Sequence, residues 1–255
     1  MAIRNHAFQP RSRKRALVVL LLCTTALAAC QTPTRPAPNP HSARSRLGPL
    51  LESWERAKRQ DGGCEQRRPQ ETPHVDCDKI SLAIERLAVE FPRDADVLLA
   101  AAAATFDRHK NEDALKTLDV LRSIQPIHPD AAVLRARIAI DEGNLRFAHR
   151  LLEEQRELTP DHSGLWELLA AVAYLEEEYA QADRGLDIAA RLGAPPWRIA
   201  YHRGLVAEST LRLKQAEAEY ATCLRAEPDF APARSRLRAL AVRNPGRATG
   251  APLIR

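Results

Sequence analysis

The sequence predicts an all-α fold built as an array of antiparallel helical hairpins. Two observations lead there. The chain is rich in Ala, Leu, Glu and Arg, which favour helix, and has only 10 Gly in 255 residues. Between Ala95 and Phe230 the same residue types also recur every 34 residues. One column reads Ala114, Ala148, Ala182, Ala216, and another Pro92, Pro126, Pro160, Ala194, Pro228. A third reads Ala102, Ala136, Ala170, Gly204, and a fourth Leu118, Leu152, Leu186, Tyr220. Four units of 34 fit with no insertion or deletion. A period of this length marks hairpins that each bury their apolar face against the next.

Ahead of the array, residues 1–29 read as a targeting segment. Arg11 to Arg15 form a basic region, and Ala16 to Ala29 an apolar run too short to span a bilayer comfortably. The formal charge of +5 is accounted for by five basic residues of this segment, which holds no acid. The rest of the chain is near neutral, which argues against a nucleic-acid partner, since phosphates call for a clustered basic excess. The run ends Leu27-Ala28-Ala29-Cys30, which resembles the lipobox of bacterial lipoproteins. That resemblance implies cleavage before Cys30, a diacylglycerol thioether on Cys30 and an acylated N-terminus. Several acyl chains make a stable membrane anchor. Gln31 after the cysteine leans towards the outer membrane, facing the periplasm.

Residues 30–46 hold Pro33, Pro36, Pro38 and Pro40 among small and polar residues and read as a tether. Residues 47–94 follow as a degenerate first repeat. Leu47, Leu50, Leu51, Trp54 and Ala57 share one face of a helix, and Ile80, Ile84, Leu87 and Ala88 share a face of a second, over Asp78–Phe91. The polar loop between them reads as displacing the second helix's partner. Its two cysteines, Cys64 and Cys77, suit a disulfide in an oxidising compartment. A metal site using Cys64, His74 and Cys77, with Asp76 as a further ligand, and a pair of free thiols are the other readings.

The spacing predicts helices over 95–108, 111–124, 130–142, 145–157, 163–176, 179–191, 197–211 and 214–226. A more polar helix over 231–243, with Arg234, Arg236, Arg238 and Arg243, covers the last apolar face, and 244–255 form a tail. In the third unit Trp166, Leu169, Ala170, Tyr179, Ala182 and Ala189 lie close to the pattern of the tetratricopeptide (TPR) repeat, with Tyr174 one place beyond the usual aromatic position. The resemblance implies a right-handed superhelix with four full repeats over 95–230. Arg135 and Arg203 depart from the pattern where an apolar residue is expected, so each guanidinium must reach an acid or the surface, or packing there is looser. Ala194 replaces the closing proline of the third unit, with Pro195 and Pro196 following. Cys223 shares a column with Leu121, Gln155 and Ala189 and reads as a small core residue.

In such a superhelix the first helix of each repeat lines the concave side, where ligands of the family usually lie. The matching positions are Leu99, Ala103 and Phe106; Val133, Arg137, Ile140 and Asp141; Glu167, Ala171 and Tyr174; and Arg198, Tyr201, Leu205 and Glu208. Among these Phe106, Arg137, Asp141, Glu167, Tyr174, Arg198 and Tyr201 are the candidate partner-binding residues, in a groove suited to an extended or helical peptide. The Lys/Asn/Arg set that clamps a peptide carboxylate in chaperone-binding relatives is absent. No zinc-protease, nucleophile-elbow, phosphate-loop or Ser-x-x-Lys motif occurs, and the eight His are scattered. The expectation is a scaffold with no catalytic residue, cofactor or metal, anchored by lipid and binding a protein or peptide in the bacterial envelope. A permanent structural subunit of a secretion or pilus machine is the alternative. A ligand- or metal-binding role for the Cys64–Cys77 loop ranks below it.

Overall fold

Helices form where the columns of small and apolar residues demand them. The computed structural model describes residues 42–59 and 77–243, which contain eleven α-helices and no strand. All of them lie within the compact unit Pro38–Arg255. Five hairpins follow one another. They are α1 (Ala43–Arg59) with α2 (Cys77–Glu90), α3 (Ala95–Asp107) with α4 (Asn111–Ile124), α5 (Pro129–Asp141) with α6 (Leu145–Leu158), α7 (Ser163–Leu175) with α8 (Tyr179–Arg191), and α9 (Pro196–Ser209) with α10 (Leu213–Ala226). The last helix, α11 (Ala231–Arg243), packs on α10.

First and second helices differ in what surrounds them. Successive first helices pack on one another, α1 on α3, α3 on α5, α5 on α7 and α7 on α9, whereas the second helices form no such layer. The first helices are therefore covered on several sides, which explains why α3 is buried at Val97, Leu98, Ala100, Ala101, Ala102, Ala104 and Thr105. Its one buried hydroxyl is satisfied, since Thr105 Oγ1 donates to Ala101 O at 2.7 Å. Second helices bury a single stripe, such as Ala148, Leu152 and Gln155 on α6.

The two columns of small and large residues meet inside each hairpin. Ala102 shares a core cluster with Leu118, Ala136 with Leu152, and Ala170 with Leu186. In the last hairpin both partners change together. A Cβ on Gly204 would sit 2.4 Å from Cε1 of the fully buried Tyr220. Glycine stands there because the larger ring has taken the space of a methyl group. Tyr220 Oη donates to Glu208 Oε2 at 2.8 Å, so its polar end is also satisfied.

The turn inside each full repeat is the same backbone motif. His109, Gly143, Glu177 and Leu211, spaced by 34, all have positive φ of 58°, 76°, 63° and 59°. Around Gly143 the amide of Gly143 donates to Ile140 O at 2.9 Å and that of Asn144 to Ala139 O at 2.7 Å, which closes the helix end. Glycine occupies only one of the four positions, so sequence marks only one of them as a left-handed turn.

Several expectations are refined. α1 begins at Ala43, so residues 43–46 assigned to the tether are helical: Ala43 is buried, and Arg46 pairs with Glu90. The partner of α2 is not displaced. α1 packs against α2 and α3, as α3, α5 and α7 each pack against their own second helix and the next first helix. The third repeat closes on Gly193, at φ 88°, with Ala194 N donating to Ala189 O at 2.9 Å, while Pro195 and Pro196 start α9. Both anomalous arginines reach acids from equivalent places, Arg135 to Asp119 at 2.5 Å and Arg203 to Asp187 at 2.6 Å. Cys223 is fully buried, and burial pushes its thiol up to about 11. Cys30, Cys64, His74, Asp76, the leader, the tether up to His41 and the tail 244–255 lie outside the described residues. Cys77 stands half-buried at the start of α2.

The matched pair in the last hairpin gives a direct test. Gly204→Ala should cost about 1–3 kcal/mol through overpacking, and Tyr220→Leu in the same chain should recover most of that loss. Chemical denaturation of both single variants and the double variant measures the coupling, which additive losses would disprove.

Candidate functional site

The inner layer of first helices encloses a groove with a cavity volume of about 740 Å³. Its floor is set by one column of the repeat: Leu99 on α3, Val133 on α5, Glu167 on α7 and Tyr201 on α9. Residues three or four places away on the same helix faces complete the walls, among them Ala103, Arg137 and Arg198. One end is aliphatic, with Leu99, Ala103, Val133 and Leu134. The other is aromatic, with Trp197, Tyr201 and Phe230. The Trp197 and Phe230 rings lie 5.0 Å apart, and Tyr201 meets Phe230 edge-on at 4.9 Å and 86°.

Between the two ends lies a buried carboxylate. Glu167 is 4% exposed and faces two bases on α9. Arg198 Nε donates to Glu167 Oε1 at 2.8 Å, and Arg198 Nη2 lies 2.7 Å from Oε2. His202 Nε2 lies 3.4 Å from Oε1. Burial alone would raise the carboxyl pKa. The His202 hydrogen bond and the Arg198 charge outweigh it, and Glu167 is held below the usual carboxylate range. The pair fixes the Arg198 guanidinium at the groove wall while leaving about two-fifths of that side chain exposed. A second cross-repeat contact lies beside it, where His162 Nε2 approaches Asp130 Oδ1 at 3.0 Å.

Of the seven candidates read from sequence, Arg137, Glu167, Arg198 and Tyr201 come together in this groove. Arg137 lies over the Phe106 ring at 5.8 Å, and Phe106 itself packs into the core between repeats. Tyr174 likewise belongs to the core between the third and fourth repeats, with its hydroxyl 3.1 Å from Ser209 Oγ. Asp141 is exposed at the end of α5, where Asn111 Nδ2 donates to it at 3.3 Å. The groove residues that sequence reasoning missed include Trp197, His202, His162, Asp130 and Phe230. Trp197 and His162 lie at the first turn of their helices, outside the column used to choose candidates. Period alone does mark His202, four places after Arg198 on the same helix face.

Chemically the groove offers apolar surface, rings, one exposed guanidinium at Arg137 and two carboxylates, Glu167 and Asp130, already engaged. No group of three or more His, Cys, Asp or Glu among the described residues is placed to hold a metal. No described helix is long and apolar enough to cross a membrane.

The depressed Glu167 pKa makes a signed prediction. Folding favours the ionised form, so its contribution is fully present above the pKa of an unfolded Glu, about 4.3. It is lost as pH falls through the lower folded value. Glu167→Gln should cost on the order of 1–2 kcal/mol at neutral pH, solvent screening of Arg198 limiting the figure. The variant should also lose part of its acid sensitivity. Thermal midpoints between pH 3 and pH 7 check both, and curves that stay parallel over that range would disprove the assignment.

Neither a protein-family profile nor a curated protein sequence matches the chain. Solved structures do. A thermophilic TPR protein of Thermus thermophilus superposes with a TM-score of 0.64 at 18% identity, covering 79% of this chain and 100% of that one. The APC/C hetero-tetramer Cut9–Hcn1 gives 0.60 at 12%, covering 66% of this chain and 34% of that one. The human IFIT1 dimer with m7Gppp-AAAA gives 0.59 at 14%, covering 78% and 52%. The chain thus spans about a third and a half of the last two. The likeness is one of fold, and the architecture is an all-α TPR solenoid.

Proposed function

We propose that this chain is a non-catalytic scaffold that binds a protein or peptide partner along its concave groove. The observation behind this reading is the alignment of Leu99, Val133, Glu167 and Tyr201, one residue per repeat, along a single open channel. Such a channel suits an extended polypeptide, whose side chains recur along it as the repeats do. The aromatic end supplies rigid contact area, and Arg137 supplies a charge without a carboxylate partner among the described residues. The groove's carboxylates and histidines face one another or Arg198, Glu167 with Arg198 and His202, Asp130 with His162. That suits a fixed binding surface better than proton transfer.

The reading includes attachment to a bacterial envelope membrane through Cys30, with the body facing the periplasm and serving assembly or secretion. Its support is the order of basic region, apolar run and Leu27-Ala28-Ala29-Cys30. A disulfide between Cys64 and Cys77 belongs to the same picture, since both flank one inserted loop and the compartment is oxidising.

Two experiments test these parts separately. Cross-linking in the native envelope should trap a dominant partner, and Arg137→Ala with Tyr201→Ala should reduce its yield at least tenfold with the helical signal unchanged. Equal yield from the double variant would remove the groove from the proposal. Metabolic labelling with a radiolabelled fatty acid should mark the wild-type chain and leave Cys30→Ala unlabelled. A wild-type chain that is cleaved and unlabelled would disprove the anchor.

A further inference from the structure

A second cavity, of about 270 Å³, opens between the first two full repeats, where α4, α5 and α6 meet. No residue lines both this cavity and the concave groove. Its meaning comes from the same place one repeat further on. There the indole of Trp166 lies against the preceding repeat. Trp166 Nε1 donates to Pro160 O at 2.7 Å, and the Arg156 guanidinium lies over the ring at 5.0 Å.

At positions 34 residues earlier, Trp166 becomes Ala132, Pro160 becomes Pro126 and Arg156 becomes Arg122. All three line the cavity. The acceptor and cation that hold an indole are thus repeated, and the ring is replaced by a methyl group. A further polar group is left over. Gln155 is 7% exposed, in a core column otherwise filled by Leu121, Ala189 and Cys223, and its Nε2 is buried with no hydrogen-bond partner among the described residues. It lines the same cavity. An unpaired buried amide costs on the order of a lost hydrogen bond unless something meets it. Exposed Leu158 lines the cavity too.

We infer that this cavity is a binding site for an indole-type aromatic side chain carried by a partner polypeptide. The ring would take the volume that Trp166 fills in the next joint. Its N–H would donate to the Pro126 carbonyl, and its face would meet Arg122 and the Gln155 amide. The site is independent of the concave groove, so the chain would contact partners on two faces.

The test uses the ¹⁵N-labelled full chain and N-acetyltryptophanamide as probe, read at the Gln155 side-chain amide and Arg122 Nε resonances. Saturable shifts at both are expected, with N-acetylleucinamide at least tenfold weaker. Ala132→Trp, which rebuilds the neighbouring joint, should abolish the shifts at an equal or higher thermal midpoint. Arg122→Ala, at an exposed position, should weaken binding several-fold with the fold intact. No shift up to the solubility limit, an equal response to the leucine probe, or binding that persists in Ala132→Trp would each overturn the inference.

Discussion

Close approach of two helices at one small residue is the constraint on which the rest depends. Ala102, Ala136, Ala170 and Gly204 let each second helix lay a large side chain onto the first. A larger residue there would push the hairpin apart and, through the packing of first helices on one another, shift every joint beyond it. Gly204 and Tyr220 show how strict this is. The volume of the contact is kept while both residues change. The groove is a by-product of the same constraint, because a continuous inner layer of first helices aligns one residue from each repeat along a common channel.

Polar groups are placed within that frame by a second rule: a charge that enters a packed joint brings its partner from the adjoining helix. Arg135 and Arg203 occupy one column, and Asp119 and Asp187 occupy another, each 16 residues earlier. In the intervening repeat the column holds Leu169, and Glu153, the counterpart of the two aspartates, pairs with Arg156 instead. Partial burial of these guanidiniums is eased by an acid supplied locally at the surface. Glu167 follows the same rule across a joint between repeats, with both its bases on the next first helix.

Much of this was legible in the sequence, because period and side-chain size are written there directly. Helix positions followed from the columns to within a few residues, and so did the burial of Cys223. That Arg135 and Arg203 would be exceptions was also visible, but that acids rather than solvent answer them came from the structure. The start of α1 was missed, although Ser42 caps it by accepting from Ser45 N at 3.3 Å, because Ala43 is the only apolar residue between Pro40 and Leu47 and its burial depends on α2 and α3. The left-handed turns at His109, Glu177 and Leu211 were not legible either, because these positions carry no glycine to mark a positive φ. In the groove, a column picked out Arg137, Glu167, Arg198 and Tyr201. Tyr174 and Phe106 share that first-helix face but lie towards its C-terminal end, where the next repeat covers them. The reach of a long ring into a neighbouring repeat is a tertiary fact that spacing does not encode.

The joints between repeats carry a last consequence. Backbone and turn repeat faithfully, yet each joint is filled differently: an open cavity beside Ala132, an indole beside Pro160, a buried carboxylate with its two bases between Glu167 and α9. Every repeat is therefore keyed to its neighbour, and the units are not interchangeable parts. A chain shortened or reordered by whole repeats would keep its period and lose its fit. The order of the repeats is thus itself a structural property, in the way that the order of teeth makes a key out of a strip of identical metal.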